Sequence, residues 1–248
     1  MNILITGTSS GIGKSLCEKY KAIGNLVIHV NRGASFELYN DHSSNEFFIK
    51  CDITSFDHVD MIFKELSKKN IKLDFVYLNA GVNVPDFCPD FNLINFKKNM
   101  DINLYGSINF VGAAKANSVK GATFIFFSST SNIVPNPFHF GYFLSKYSIF
   151  EAQKFFQKNE RKNIYKVVIL GPIKTNISRM FSPPKGFQLF ILNFLIVNTS
   201  DCAEAIIKFS LSRKTVLRYP FKSIAIYYAA KILLFFLPNA YKVSERSE

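Results

Sequence analysis

Five residues into the chain an apolar run meets a glycine-rich turn: "NILI" (2–5) leads into "TGTSSGIG" (6–13), with Gly7, Gly11 and Gly13 as its glycines. The run reads as a buried strand. The stretch that follows, "KSLCEKYKAIG" (14–24), has apolar residues at helical spacing (Leu16, Tyr20, Ile23) and stops at Gly24, which predicts a helix. A strand-to-helix turn built on glycine bends tightly and lets a ligand approach the backbone. The start of a helix offers unpaired N–H groups and partial positive charge, which suit a phosphate. A plain tight turn has the same local sequence, so the rest of the chain must decide.

Apolar runs recur along the chain. "LVIHV" (26–30), "FFIKC" (47–51), "DFVYLN" (74–79), "ATFIFFSS" (122–129) and "YKVVIL" (165–170) read as strands. Helices are predicted over 55–69, around 94–118 and around 140–159. This alternation predicts an α/β fold, a Rossmann-type doubly wound parallel sheet with helices on both faces. The segment between Arg32 and Asp52 is short, so the helix expected there is stunted. In such sheets ligands bind beyond the carboxyl ends of the strands, where the strand order reverses. The division expected is a single dinucleotide-binding and catalytic domain over 1–221, with an apolar, basic tail over 222–248.

At 248 residues the chain has ample length for one core, and with 48% hydrophobic and 19% charged residues it is globular rather than disordered. Cys17, Cys51, Cys88 and Cys202 are scattered, without a CxxC pair or a cluster with histidine. They are read as reduced, in a cytoplasm-like compartment, and no metal site is expected. Since the first strand begins at residue 2, no signal peptide is expected ahead of it. The net charge is +12, and from Ile206 to Glu248 eight Lys or Arg stand against two Glu, a net of +6. Basic residues beside apolar runs suit an anionic membrane surface better than nucleic acid, and no nucleic-acid-binding signature accompanies them.

Polar residues collect at the ends of the predicted strands: "NAG" (79–81), "SS" (128–129), and "YFLSK" (142–146) near the start of a helix. Tyr142 and Lys146, four apart, share a helical face. A free phenol, with a pKa of about 10, is a poor base near neutrality. An ammonium beside it favours the phenolate and makes it a usable acid/base.

Together these motifs make the sequence resemble the short-chain dehydrogenase/reductase family. The similarity runs from residue 2 to about 210 and rests on "TGTSSGIG", "CDIT" (51–54), "NAG", "DINLYG" (101–106), "SST" with "YFLSK", and "LGPIKT" (170–175), in the family's order. Ser129 stands thirteen residues before Tyr142, as the family pattern expects. The resemblance implies a general acid/base in Tyr142, with Lys146 lowering its pKa and holding the nicotinamide ribose. Ser129 would hydrogen-bond the substrate oxygen, and Asn103 would help hold a relay water. For the cofactor it implies Gly7, Ser9, Ser10, Gly11, Ile12 and Gly13 around the pyrophosphate and Asp52 and Ile53 beside the adenine. Asn79, Ala80 and Gly81 would give support, and Pro172, Ile173 and Thr175 would lie at the nicotinamide. Leu170 and Leu78 depart from the family's usual residues at positions that carry no reacting group. His139 is read as a loop histidine that could line the site, Asp101 as structural, and Cys88 and Cys202 as bystanders.

Relatives that use NAD often carry an acid after the second strand. Here Asn31 takes that place and Arg32 follows, which favours NADP(H) and leaves NAD(H) possible. The resemblance places a substrate cover after Thr175, and "FQLFILNFLIV" (187–197) makes it apolar. The run "IAIYYAAKILLFFLP" (224–238) is too short to span a bilayer and is broken by Lys231; Tyr227, Tyr228 and Lys231 fall on one side of it. It reads as an interfacial helix, or equally as an oligomer contact or a helix packed on the core. The substrate expected is a small-molecule or lipid-linked carbonyl, a lipid-linked keto-sugar among the options. A homo-oligomer and a cytoplasmic site, peripheral on the membrane's inner face, complete the expectation. Two other classes stay open: a non-catalytic dinucleotide-binding protein, and a partner subunit of a membrane-associated epimerase.

Overall fold

The computed structural model describes residues 1–41, 45–86, 90–117, 119–132, 137–175 and 195–236. Most of the expected substrate cover, the end of the tail and Cys88 lie outside the described residues. Eight strands form one sheet in the order β3-β4-β2-β1-β5-β6-β7-β8. They are β1 (Asn2–Thr6), β2 (Leu26–Arg32), β3 (Glu37–Asp41), β4 (Glu46–Cys51), β5 (Phe75–Leu78), β6 (Thr123–Ser129), β7 (Ile164–Leu170) and β8 (Val216–Tyr219). All neighbours run parallel except β3, which pairs antiparallel with β4 (Glu37↔Lys50 to Asp41↔Glu46).

The interior strands are apolar throughout because both faces of a parallel sheet are covered. Successive residues serve opposite faces. On β1, Leu4 joins a core layer with Val30, Val76, Phe124 and Phe126, while Ile3 and Ile5 join the other with Val27, Tyr77, Ile125 and Phe127. The first layer is completed by α2 (Phe56–Lys68), α4 (Gly106–Ala116) and α5 (Phe140–Asn159), the second by α1 (Gly11–Ala22) and α6 (Thr199–Ser210). On α2 the buried residues Val59, Ile62, Phe63 and Leu66 fall one helical turn apart, and Ser55 caps the start by accepting from His58 N.

Three features correct the expectation. Where a stunted helix was expected after the second strand, the described chain forms β3. The polypeptide leaves the top of β2 and must return to the bottom of β4 within residues 33–45. An extended segment covers about 3.3 Å per residue against 1.5 Å for a helix, so a strand makes the return and a helix does not. Leu38 packs on the core and Tyr39 stacks on Phe48, with ring centroids 5.2 Å apart. At the other edge β8 adds a short strand that the hydropathy pattern did not reveal. The third feature lies in the predicted helix over 94–118. It is α3 (Leu93–Met100), a π-helical turn at Asp101–Tyr105, and α4.

The chain ends its described part in α7 (Phe221–Phe236). Its first turn lies against the body: Ser223 and Ile224 are buried, and a Cβ on Gly171 would stand 2.6 Å from Ser223 Cβ. Among the described residues no helix is long and apolar enough to cross a membrane.

Candidate active site

β1 and β5 are neighbours, and from them the strands run to opposite edges, so the crevice opens at the carboxyl ends of this pair. The glycine turn stands there. Gly7 (φ +71°) and Gly11 (φ +61°) adopt the left-handed conformation that glycine favours. Gly13 serves close approach: a Cβ there would fall 2.2 Å from Gly7 O and 2.6 Å from Asn79 Nδ2. The α1 start has no acidic residue in its first turn, and the N-cap Ser10 makes no side-chain cap bond. Those N–H groups suit an anion. Ser9 and Ser10 are exposed, while Ile12 packs on the core.

Two clamps hold this turn. Asn79 Nδ2 donates to Thr6 O (2.9 Å) and Gly7 O (3.1 Å), and Ala80 N donates to Thr6 Oγ1 (2.8 Å). On the other flank Asn31 accepts from Thr8 N and donates to Thr8 Oγ1, both at 2.9 Å. His29 continues the chain, with Nδ1 3.1 Å from Thr8 Oγ1 and Nε2 3.1 Å from Glu46 Oε1. Burial pulls the His29 pKa down, against the pull of Glu46. A neutral ring then takes the Thr8 proton at Nδ1 and donates from Nε2 to Glu46. Asn31 thus fixes the turn, and Arg32 stands exposed beside it at the end of β2.

The remaining cofactor candidates follow the carboxyl ends of β4 and β7. Thr175 meets the turn, its Cγ2 lying 3.4 Å from where a Gly11 Cβ would stand. The strip leading to it is held to the residues after the cover: Val197 N donates to Pro172 O (3.2 Å), Lys174 N to Val197 O (2.9 Å), and Ile173 is buried. Ile53 lies under Gly106, and Asn109 Nδ2 donates to its carbonyl (3.0 Å). Asp52 is exposed, with Oδ1 accepting from Thr54 N (2.9 Å) and Thr54 Oγ1 (2.8 Å).

Ser129 is the last residue of β6, and Tyr142 and Lys146 lie in the first turns of α5. Lys146 is anchored twice: its Nζ donates to Phe127 O (2.9 Å), and its carbonyl accepts from Ser128 Oγ (2.8 Å). Nζ sits 5.7 Å from the Tyr142 ring centre. Burial draws its pKa down to about 8, so the ammonium is still largely charged at neutrality. Ser129 is half-buried, its Oγ accepting from Ser131 N at 3.2 Å.

Gly81 faces the lysine, since a Cβ there would stand 3.4 Å from Nζ. Asn103, fully buried in the π-helical turn, accepts from Val82 N (2.7 Å) and donates to Val82 O (2.9 Å) and Ser145 Oγ (3.0 Å). Its carboxamide is therefore committed to protein. Its main-chain carbonyl accepts from Ser107 Oγ (2.9 Å).

Sequence reasoning missed Thr6, Thr8, Ser128 and Ser145, which hold these candidates from behind. It also missed Asp86, whose Oδ2 accepts from Gly141 N, the residue before Tyr142. His139 precedes α5 and is buried, with its pKa lowered by burial against the charge of Asp86, rather than standing in an open loop. Buried thiols at Cys17, Cys51 and Cys202 are pushed up to about 12, which keeps them protonated and inert.

A family model described as short chain dehydrogenase matches residues 1–185. The chain belongs to the short chain dehydrogenase family. Membership agrees with the Rossmann-type sheet order, and the turn built by Gly7, Gly11 and Gly13 leaves the helix start open to the phosphates of a dinucleotide. Short-chain dehydrogenase reductase 3c of Arabidopsis thaliana is 30% identical over 156 residues, 59% of each chain. NADPH-dependent 3-dehydrocapnine reductase of Ornithobacterium rhinotracheale is 27% identical over 187 residues, 70% of this chain and 66% of the relative. The chain thus matches about 60% of the length of the first of these relatives. A solved structure of a short chain dehydrogenase family protein from Francisella tularensis superposes with a TM-score of 0.71 at 25% identity, covering 92% of this chain and 98% of that one.

Proposed function

We propose that the protein is an NADP(H)-dependent oxidoreductase acting on a ketone or secondary alcohol. The observation that carries this is the grouping of Ser129, Tyr142 and Lys146 at the carboxyl end of β6 and the start of α5, across from the glycine turn. Bound at that turn, the dinucleotide would supply hydride exchange at its nicotinamide ring. Ser129 Oγ holds the substrate oxygen, and the Tyr142 phenol gives or takes the proton there. The Lys146 ammonium favours the phenolate and binds the ribose. Protons return past Lys146 to the carbonyl of Asn103 and water.

NADP(H) is favoured because Arg32 is exposed at the end of β2 and no acid stands at Asn31 to repel a 2′-phosphate. The relative from Ornithobacterium, named as NADPH-dependent, supports the same choice. Tyr142→Phe is expected to bind NADPH as wild type does and to lose turnover of carbonyl substrates a hundredfold or more. Wild-type rates in that variant would refute the mechanism. Turnover only with a second protein present would favour a partner subunit of an epimerase, and binding without any turnover a dinucleotide-binding protein.

We infer further that the tail from residue 222 docks on an anionic membrane at the cytoplasmic face and brings an apolar or lipid-linked carbonyl to the site. The net +6 after Ile206 supports this, as do the exposed Phe221 (80%), Ile226 and Tyr228 on α7. Flotation with anionic liposomes is expected for the full chain and not for one ending before Lys222. A full chain that stays off the liposomes would move α7 to a subunit contact. A homo-oligomer is proposed through α3 to α5, whose outer face exposes Ile94, Tyr105, Phe140, Tyr147 and Phe155.

A further inference from the structure

His29 stands directly behind the glycine turn. It lies two residues before Asn31 on β2, so the two side chains share a face of the sheet. Both end on Thr8: His29 Nδ1 is 3.1 Å from Thr8 Oγ1, and Asn31 Nδ2 donates to the same oxygen (2.9 Å). On its far side the ring meets Glu46 Oε1 (3.1 Å), and its face stacks on Phe48, with centroids 4.5 Å apart. The ring is buried but lines a cavity of about 330 Å³ beside the turn, together with Ser9 and Lys14. A helix in a right-handed crossover from β2 to β4 would lie on the α1 side of the sheet, over this space. Here β3 makes the crossover at the edge, and the space stays open.

The other charges around the ring cancel. On α1, Lys14 faces Glu18 (3.8 Å), and Lys21 pairs with Glu46 of β4 (2.6 Å); among the described residues these are the charged side chains that line the cavity. The Cys17 thiol, also at the cavity, is pushed up to about 12 and stays protonated. A proton on His29 is therefore the net charge that this cavity gains near neutrality. Its arrival leaves the turn in place, because Thr8 Oγ1 has two lone pairs, one for Asn31 and one for a protonated Nδ1. Burial lowers the pKa of the ring, so without ligand it is neutral at pH 7. Phosphates bound at the turn would raise it again, since a nearby opposite charge favours the charged form.

We propose that His29 is a positioning residue of the dinucleotide site, holding Thr8 in both protonation states and taking up a proton when the phosphates bind. The inference rests on the dinucleotide site proposed above and adds a pH dependence to it. Linkage is reciprocal, so the same coupling tightens nucleotide binding as the pH falls through the range in which the ring titrates. A unit charge within one hydrogen bond of the turn is worth roughly three- to tenfold in affinity for an anion there.

The test is calorimetric titration of the cofactor-free protein with NADP+ at pH 6 and pH 8, each in two buffers of different ionisation enthalpy, which counts the protons exchanged. Comparison with His29→Gln and Glu46→Gln cancels the titration of the nucleotide's own 2′-phosphate. Wild type is expected to take up more protons than His29→Gln at pH 6 and the same number at pH 8. From pH 8 to pH 6 its affinity is expected to rise roughly three- to tenfold more than that of His29→Gln. Glu46→Gln keeps an acceptor for Nε2 and loses the charge that favours a protonated ring, so it is expected to fall between the two. A proton count and pH dependence shared by all three proteins would overturn this inference alone. Failure of wild type to bind NADP+ at either pH would overturn the dinucleotide site and the inference with it. Where His29→Gln does not fold, NMR titration of the wild-type ring decides: its pKa must rise on adding NADP+, and an unchanged value overturns the coupling.

Discussion

Lys146 offers a test that needs no substrate. Its side chain is buried, and its ammonium is held to about pKa 8 against an ordinary 10.5. A cation whose folded pKa lies below its unfolded value destabilises the fold by a constant amount below pH 8. That penalty, about 3 kcal/mol for a shift of this size, lifts as the pH rises from 8 toward 10.5. Between pH 7 and pH 9.5 the group alone should add about 2 kcal/mol of stability. The buried thiols of Cys17, Cys51 and Cys202, pushed up to about 12, act in the opposite sense over the same range. Raw stability of the wild type therefore hides the effect. Lys146→Met keeps the bulk and the thiols and removes the charge, although Phe127 O loses its partner. Urea unfolding of both cofactor-free proteins at the two pH values isolates the lysine. Wild type should gain about 2 kcal/mol on the variant from pH 7 to pH 9.5 at equal m-values. A difference that does not change with pH would mean that the ammonium is solvated, and the explanation of how Lys146 is tuned would fall.

Arg32→Ala should weaken NADP(H) binding by roughly ten- to a hundredfold and NAD(H) much less, read by fluorescence titration; equal losses would remove Arg32 from the 2′-phosphate. Gly13→Ala forces a methyl into Gly7 O and should lower stability by about 1–3 kcal/mol and abolish most cofactor affinity, read by urea unfolding and the same titration. Asn99→Ala removes both partners of the Val84 main chain and should lower stability by about 2 kcal/mol or more by urea unfolding, with a fall in kcat because the loop held to Lys146 at Gly81 and to Gly141 at Asp86 loosens.

The six interior strands could be read from sequence because a strand buried on both faces is a continuous apolar run, as in "TFIFF" of β6. β3 could not, because "ELYND" lies at an edge, bears two acids and leaves Tyr39 half exposed. β8 is only four residues long and buries little. The break at Asp101–Tyr105 changes helical spacing by a single residue, which periodicity over a long helix does not resolve. Among the site candidates, the glycines, Ser129, Tyr142 and Lys146 were legible as types at fixed spacing. The groups that hold them were not. Thr6 acts on Ala80 and Asp86 on Gly141, 74 and 55 residues away, and no local pattern marks such a partner.

The loop after β5 shows what those distant partners accomplish. It leaves the sheet without regular secondary structure, and among the described residues no strand pairs with it. Three asparagines take the place of that strand. Asn103 pairs with both main-chain groups of Val82, Asn99 with both of Val84, and Asn95 with the carbonyl of Pro85. The spacing explains why this works. Four residues of helix rise about 6 Å, close to the about 6.6 Å that two residues of extended chain cover. Carboxamides four residues apart at Asn99 and Asn103 therefore meet alternate residues of the loop, Val84 and Val82, while Asn95 reaches the next carbonyl, that of Pro85. Proline has no N–H, and at Pro85 only the donor half of the carboxamide is used. Asn103 is thus one rung of a ladder that fixes the loop whose start, Gly81, lies against Lys146, which explains why its side chain is committed to protein.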